Sequence, residues 1–274
     1  MYFLDRFRRL ILLVWNKFYL QFRVVNAISQ RELRLRAEKG LMGVAGIFVE
    51  PLVLVLTFMA LRLFLRGSGA NDYINPVLWL SIGFIPFFMF SDVALRALGG
   101  VSKTNDLYFY RRVRPLDALL GNALLTTQIF GILLLLVVVG VSLWEWRPAV
   151  QSFGEVVLGL VLISTLGFGV GLNTLIVGHR LPLLAWFMKM TVRRILLWTS
   201  CIFFPISIVP DQFRIWILWN PLAHGVELMR HACNSAYPIP GVSPLYFVFS
   251  SLGLLGLSFL IYGNNEDLLL ADSN

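Results

Sequence analysis

Charged side chains are scarce in this chain. They make up 14% of its 274 residues, where soluble globular domains carry about 25%. Apolar residues make up 58%, and the mean hydropathy is +0.76. So much apolar surface with so little charge excludes an ordinary soluble protein. The composition predicts an all-α, polytopic membrane protein.

Cysteine and the common catalytic motifs are also sparse. Two cysteines, Cys201 and Cys233, support no disulfide framework. The chain has no G-x-x-x-x-G-K-[ST] loop, so it does not bind and hydrolyse ATP in that way. His224, Glu227 and His231 share one helical face, but no fourth ligand accompanies them. We therefore predict neither a catalytic residue nor a metal site.

Acidic residues are fewer than basic ones, 15 against 23, which gives a net charge of +8. In a soluble protein this balance suggests nucleic-acid binding. Here 17 of the 23 basic residues lie in three segments that flank apolar stretches: 1–40, 101–115 and 178–194. Because basic residues collect on the cytoplasmic side of membrane proteins, we assign these segments to the cytoplasm and predict no nucleic-acid partner.

Six apolar stretches are predicted to cross the membrane, each judged against the roughly 20 residues that a bilayer requires. They are 42–65, 77–99, 118–144, 153–177, 195–209 and 245–262. Residues 1–41 form a cytoplasmic interfacial segment, and 178–194 is interpreted as a basic loop. Six spans return the C-terminus to the cytoplasm, so 1–274 is interpreted as one transmembrane domain.

A charged helix is predicted immediately before the first span. Arg31, Glu32, Arg34 and Arg36 belong to it, and the i,i+4 spacing of Glu32 and Arg36 supports helix formation. Such a helix is typical of the water–membrane interface. Glu50 lies inside the first span, where a carboxylate is costly. It is either functional or paired with a basic residue of a neighbouring helix.

The stretch 211–240 is neither a clean span nor a clean loop. An Asn220–Pro221 break divides a short apolar piece from an amphipathic one. Broken helices persist at membrane depth only when buried in protein or lining a water-filled cavity, so we predict a re-entrant helical hairpin. Glu227 and Arg230 are expected to tie it to its neighbours.

Two spacings within the spans predict packing contacts. Asp92 and Arg96 have i,i+4 spacing and are interpreted as a satisfied ion pair rather than a proton relay. Gly167 and Gly171 have the small-xxx-small spacing that lets two membrane helices pack closely.

The loop 101–115 combines aromatic residues, an arginine cluster and a proline-started helix. It is either a partner contact or an ordinary cytoplasmic loop.

Three stretches together resemble the permease subunit of capsular-polysaccharide ABC exporters, within the type-2 ABC exporter superfamily. They are RVVNAISQREL from Arg23, continuing through GLMGVAGIFVEPLV; LYFYRRVRPLDALLGNALL from Leu107; and NPLAHGVELMRHACNSAYP from Asn220. They occur in the family's order, and the resemblance covers nearly the whole chain. Two features depart from it: the unusually basic 178–194 segment, and Cys201 where relatives are expected to have a glycine-like turn.

The resemblance implies a homodimer of this subunit with two copies of a separate ATPase, which would hold the ATP and magnesium. The implied cargo is a lipid-linked acidic polysaccharide, with periplasmic and outer-membrane export proteins and membrane lipids as further partners. The location implied is the bacterial inner membrane. The ATPase contact would involve Leu107, Tyr108, Tyr110, Arg111, Arg112 and Arg114. The periplasmic gate would involve Asn220, Pro221, His224, Glu227 and Arg230.

Aromatic side chains are candidates for the wall of a polysaccharide path, although membrane anchoring is their more frequent role. They are Phe84, Phe87, Phe88, Trp198, Trp216 and Trp219. Within the exporter class, O-antigen or teichoic acid is the alternative cargo. A secondary carrier would require internal repeats and a central charged site. An enzyme acting on lipid-linked sugars would require paired carboxylates on the aqueous side.

Overall fold

The computed structural model describes residues 19, 21, 23–35, 38, 49, 51–61, 73–103 and 115–265. Within these ranges the chain is helical, and they contain no strand. The all-α class predicted from composition is therefore confirmed. The elements in chain order are α1 (23–35), α2 (Pro51–Leu61), α3 (Pro76–Lys103), α4 (Pro115–Glu145), α5 (Phe153–Arg180), α6 (Pro182–Met190), a π-helical turn (Thr191–Ile195), α7 (Leu196–Thr199), a 3-10 turn (Ile206–Ile208), α8 (Asp211–Ile217), α9 (Pro221–Cys233) and α10 (Pro244–Gly263).

Four helices are long and apolar enough to cross a membrane: Pro76–Ala97, Leu116–Glu145, Phe153–Gly178 and Pro244–Gly263. They coincide with the predicted spans at 77–99, 118–144, 153–177 and 245–262. Of the predicted first span, 42–65, the helix Pro51–Leu61 is described, and Glu50 lies outside the described residues. The six-span count therefore stays a prediction.

Proline starts many of these helices, because the first helical turn needs no backbone N–H donor. The prolines in question are Pro76, Pro115, Pro182, Pro221 and Pro244. A polar side chain caps three of the starts by accepting a backbone N–H: Asn75 from Val77 at 2.9 Å, Asn220 from Leu222 at 3.0 Å, and Ser243 from Tyr246 at 3.3 Å. Local sequence thus defines the helix boundaries nearest the site described below.

Helix α3 lies at the centre of the bundle. Of the residues in its most apolar stretch 83% are buried, against 22% in α10. The close packing predicted for Gly167 and Gly171 is confirmed. A Cβ atom on Gly171 would lie 2.7 Å from the Ala97 Cβ, and one on Gly167 would lie 2.9 Å from the Phe90 carbonyl oxygen. Two glycines on α5 therefore let its backbone approach α3.

The stretch 178–210 differs from the sequence prediction. Helix α5 continues to Arg180, and helical structure resumes at Pro182 and runs to Thr199 through the π-helical turn. The prediction of a loop at 178–194 is therefore wrong. The basic residues of this segment lie on helices, because basic residues occur at the ends of membrane spans as well as in loops. Residues 195–209 do not form one helix, since turns and the Ile206–Ile208 3-10 turn follow Thr199.

The break predicted at Asn220–Pro221 is confirmed. It separates α8 from α9, and most of α9 is buried, including His224, Glu227 and Arg230. A short helix with three ionisable side chains on buried positions requires internal partners for each of them. Its depth in a membrane stays a prediction.

Candidate functional site

The most fully enclosed cation of the described chain is Arg230, whose side chain is 0% exposed. Its guanidinium donates from Nη1 to the Glu227 carboxylate at 2.8 Å and to the Cys201 carbonyl at 2.6 Å. Nη2 donates to the Ile202 carbonyl at 3.0 Å. One side chain of α9 is thereby bonded to the turn that follows α7, which confirms that Arg230 ties this segment to its neighbours.

The same guanidinium also contacts α3. Its central carbon lies 3.6 Å from the centre of the Trp79 ring, a cation–π contact, and Nε donates to the Trp79 carbonyl at 3.4 Å. The Trp79 indole N–H in turn donates to the Tyr237 hydroxyl at 3.2 Å. Arg230 therefore joins three separate parts of the chain: α9, the 201–202 turn and the first turns of α3.

Glycine makes room for this contact. Gly83 lies one helical turn beyond Trp79 on the same face of α3. A Cβ atom at Gly83 would lie 2.8 Å from Arg230 Nη2 and 3.2 Å from the Ile202 carbonyl oxygen. We call the recess formed by Trp79 and Gly83 the α3 notch. Any side chain larger than hydrogen at position 83 would displace the guanidinium from it.

Glu227 neutralises the buried cation. Its side chain is 0% exposed and pairs with Arg230 through Oε1. A buried ion pair of this kind contributes little net stability, but either partner alone is strongly unfavourable. Glu227 therefore allows Arg230 to remain charged where it contacts α3.

Cys201 provides one of the carbonyls through an unusual backbone conformation. Its φ angle is +54°, in the left-handed region that glycine occupies most readily. This is the position at which the resemblance implies a glycine-like turn, so the turn is present although cysteine occupies it. The conformation directs two successive carbonyls, of Cys201 and Ile202, towards Arg230.

His224 is held as a neutral imidazole at the start of α9. The Ser243 backbone N–H donates to its Nδ1 at 3.0 Å, so the proton lies on Nε2, which is 2.9 Å from the Leu218 carbonyl. Burial lowers the pKa of His224, which favours the neutral ring. The His231 Nδ1 lies 2.9 Å from the Tyr237 carbonyl. The two histidines and Glu227, which share a face in the sequence, thus contact different protein groups.

A pocket of about 500 Å³ lies beside this cluster, where α3 begins and α4 and α9 end. Glu145 lies on its wall and accepts hydrogen bonds from Asn75 at 2.7 Å and Arg147 at 2.8 Å. Asn234 donates to the Tyr73 carbonyl at 2.6 Å. These contacts bind the connection after α4 and the end of α9 to the start of α3.

The predicted Asp92–Arg96 pair is confirmed. The Arg96 Nε lies 2.5 Å from the Asp92 carboxylate, and the Thr126 hydroxyl donates to the same carboxylate oxygen at 3.4 Å. Since both charges are satisfied within the bundle, they have the structural role expected of such a pair.

Helix α1 lies against the start of α4. Val25 and Ile28 are buried there, and a Cβ atom on Gly121 would lie 3.0 Å from the Ile28 side chain. Gln21 hydrogen-bonds the buried Asp117. Arg31 and Arg34 of the predicted interfacial helix are exposed and Glu32 is half-buried. Arg31 and Arg34 therefore lie away from the bundle, and the interfacial position of this helix stays a prediction.

Several predicted site residues lie outside the described residues. They are Arg36, Glu50 and the loop set Leu107, Tyr108, Tyr110, Arg111, Arg112 and Arg114. Their assignments stay predictions.

The six candidate aromatics fall into two groups. Phe84 and Phe87 are buried in the core, and Phe88 is half-buried. Phe84 packs 5.4 Å from Phe203 and 5.6 Å from Phe58 between ring centres, so its ring faces protein. The three tryptophans Trp198, Trp216 and Trp219 are 61%, 76% and 80% exposed. In this conformation the exposed tryptophans are available to line a polysaccharide path, whereas the buried Phe84 and Phe87 are not.

Sequence reasoning missed Trp79, Gly83 and Tyr237, which complete the Arg230 cluster. The sequence does place Trp79 and Gly83 at i,i+4 spacing, but that spacing alone does not distinguish a notch from ordinary packing. The Arg230–Trp79 contact spans 151 positions of sequence. No local pattern encodes a contact of that separation.

Comparison with known proteins places these features in a family. The family model of the ABC-2 type transporter matches residues 23–233. The chain is 32% identical to the Polysialic acid transport protein KpsM of Escherichia coli over 246 residues, which cover 90% of this chain and 95% of that protein. It is 26% identical over 245 residues to the Capsule polysaccharide export inner-membrane protein BexB of Haemophilus influenzae (89% and 92% covered). It is 25% identical over 244 residues to the corresponding protein CtrC of Neisseria meningitidis (88% and 90% covered).

Proposed function

We infer the function of this chain from its family: the chain belongs to the ABC-2 type transporters. We propose that it is the inner-membrane permease subunit of an exporter that moves capsular polysaccharide, and that it carries no catalytic site of its own. The observation that carries the proposal is the similarity to three capsule or polysialic acid export proteins along about nine-tenths of the chain. Those relatives favour capsule over O-antigen or teichoic acid as the cargo.

Energy would come from a separate ATPase subunit. The sequence carries no phosphate-binding loop of the G-x-x-x-x-G-K-[ST] type. In the proposed assembly two copies of this chain form a homodimer, and each contacts one ATPase. The contact would be the arginine-rich loop between α3 and α4, which follows Lys103 directly in sequence and precedes Pro115.

Six spans are proposed, with both termini in the cytoplasm. Four are the long apolar helices, and α2 would belong to the first span. The fifth would be the helical stretch from Pro182 to Thr199, about 27 Å long at 1.5 Å per residue. That length approaches the roughly 30 Å hydrocarbon core of a bilayer. With this topology the α3–α4 loop faces the cytoplasm, and α8 and α9 lie on the outer side.

The proposed fifth span carries exposed basic side chains, which supports an acidic cargo. Lys189, Arg193 and Arg194 lie on α6 and the π-helical turn, and all three are exposed on the single chain. A cation at membrane depth faces a water-filled cavity or a protein partner rather than lipid. In a homodimer these residues would line a path that attracts an acidic, lipid-linked polysaccharide.

The outer gate would consist of α8 and α9. Helix α8 presents Phe213 and Trp216 to the surroundings, and Trp219 follows it. Exposed tryptophans are typical of the membrane–water interface, where their rings anchor a short helix. Helix α9 is fixed to the bundle through Arg230, which leaves α8 as the more exposed half of the gate.

The ATPase contact is tested by charge reversal in the α3–α4 loop. We expect Arg111→Glu combined with Arg112→Glu to lower surface polysaccharide about thirtyfold or more, because removing one partner of a buried interfacial charge pair typically costs 2–5 kcal/mol. The measurement is surface polysaccharide per membrane-inserted copy, together with copurification of the ATPase.

The control is Arg8→Glu combined with Arg9→Glu, which changes the net charge equally in another segment assigned to the cytoplasm. Export at the level of the unmodified chain in the Arg111/Arg112 variant, with the ATPase still bound, would show that this loop is not the contact.

A further inference from the structure

The geometry of Arg230 points to a mechanical role, and this inference rests on the proposed function. We propose that Arg230 is a positioning residue that locks α9 into the α3 notch, so that the outer gate follows the movement of α3. Four observations carry the proposal: the complete burial of Arg230, its stacking on Trp79, its bonds to the 201–202 turn, and the space that Gly83 leaves for its guanidinium.

Helix α3 connects the two sites that an exporter must coordinate. It runs without interruption from Pro76 to Lys103, and the proposed ATPase-contact loop begins directly after it. From Trp79 to Lys103 the helix spans about 36 Å at 1.5 Å per residue. It contains one internal proline, Pro86, and the neighbouring Phe84, Ile85 and Phe87 are buried in the core.

The α3 notch gives α9 a defined point of attachment on α3. Packed apolar contacts are not directional, so they define the position of α9 on α3 less strictly than hydrogen bonds do. Arg230 instead makes directional bonds whose acceptors lie on α3 and on the 201–202 turn. Any shift of α9 relative to α3 would take the buried guanidinium away from Trp79 and leave buried hydrogen-bonding groups without partners, which is unfavourable. The outer segment is therefore expected to move as one body with α3.

Arg230 is buried at this place although a buried charge is costly. Replacing a buried ion pair by apolar residues of similar volume is often neutral or stabilising. An apolar residue at position 230 would make no hydrogen bond to α3 or to the 201–202 turn. Since fixing register is the best-supported use of buried polar groups, Arg230 is better explained by coupling than by stability, and Glu227 by neutralising its charge.

The test compares polysaccharide exported per ATP hydrolysed by the purified, reconstituted complex of this chain with its ATPase. Gly83→Ala fills the notch. We expect export per ATP to fall about fivefold or more, the lower end of ordinary coupling between sites. Gly140→Ala on α4 is the matched control, because a Cβ atom there meets nothing within 4 Å. It is expected to leave the ratio unchanged.

Trp79 provides a second pair of variants should Gly83→Ala fail to assemble. Trp79→Leu removes the ring face under the guanidinium and is expected to lower the ratio. Trp79→Phe keeps a ring there and is expected to restore most of it, although both variants lack the indole N–H that donates to Tyr237. Equal ratios in Trp79→Leu and the unmodified chain would overturn the inference. ATP-independent export, or none, by the unmodified complex would instead refute the proposed function.

Discussion

Arg230→Met is expected to destabilise this protein by about 3–5 kcal/mol, the usual result of removing one partner from a buried ion pair. Methionine fills much of the same volume, so the loss comes from the Glu227 carboxylate, which is left 0% exposed without its cation. Three bonds to backbone carbonyls are lost as well. The measurement is the thermal midpoint of the detergent-solubilised chain, followed by the fraction that remains monodisperse.

Two further variants separate charge from shape. Arg230→Met combined with Glu227→Gln removes both charges and is expected to recover much of the lost stability, because an uncharged pair leaves no buried ion. Arg147→Met, whose side chain is 73% exposed in its pair with Glu145, is expected to change stability by no more than about 0.5 kcal/mol. Normal stability in Arg230→Met, or a double variant no better than the single one, would refute the buried-charge explanation.

Gly171→Leu is expected to prevent α3 and α5 from packing. A Cβ atom at this position would already lie 2.7 Å from the Ala97 Cβ and 2.8 Å from the Ala94 carbonyl oxygen, and backbone atoms cannot rotate away. Overpacking of a close-packed core typically costs 1–3 kcal/mol and more where the backbone must shift. The expected result is a chain that reaches the membrane but aggregates on extraction.

Gly253→Leu on α10 is the matched control, because a Cβ atom there meets nothing within 4 Å. It is expected to extract like the unmodified chain, since leucine is a better helix former than glycine by roughly 1 kcal/mol. If Gly171→Leu also behaves normally in size-exclusion chromatography, the helices do not approach as closely as described.

The long spans were predictable because bilayer thickness sets a simple length requirement. Any apolar run of about 20 residues with few charges meets it, and α4, α5 and α10 do so with little ambiguity. The Asn220–Pro221 break was predictable for an equally local reason. Proline cannot continue a helix, but it fits the first turn of the next one.

The fifth helical stretch was not predictable in the same way. Lys189, Arg193 and Arg194 suggested a cytoplasmic loop, because the usual rule assumes that cations avoid membrane depth. The structure places them on helix and on the π-helical turn. In the proposed fifth span these cations would require a protein partner or a water-filled path, and a hydropathy pattern shows neither.

Aromatic residues illustrate a second limit. Phe84 and Trp198 are equally apolar to a sequence pattern, yet the first is buried and the second is 61% exposed. In a soluble protein hydrophobicity separates core from surface, whereas lipid is as apolar as the interior of a membrane protein. Which aromatic residues face a substrate therefore depends on tertiary packing.

The Arg230 cluster combines one local contact with contacts between distant parts of the chain. The sequence predicted that Glu227 and Arg230 tie this segment to its neighbours, whereas the structure pairs them with each other at 2.8 Å and makes the connection to other elements through Arg230. Its partners Trp79, Cys201 and Ile202 come from distant parts of the chain. Their convergence requires the left-handed turn at Cys201 and the absence of a side chain at Gly83.

The central claim, that this chain is the permease of an ATP-driven polysaccharide exporter, is tested most directly by affinity purification from its native membrane. The copurifying proteins would be identified and counted, and ATP hydrolysis measured. We expect an ATP-binding subunit in equal amount, two copies of each chain, and hydrolysis that disappears with the Arg111/Arg112 charge reversal. A chain that purifies without an ATP-binding partner and shows no nucleotide dependence would contradict it and favour a secondary carrier.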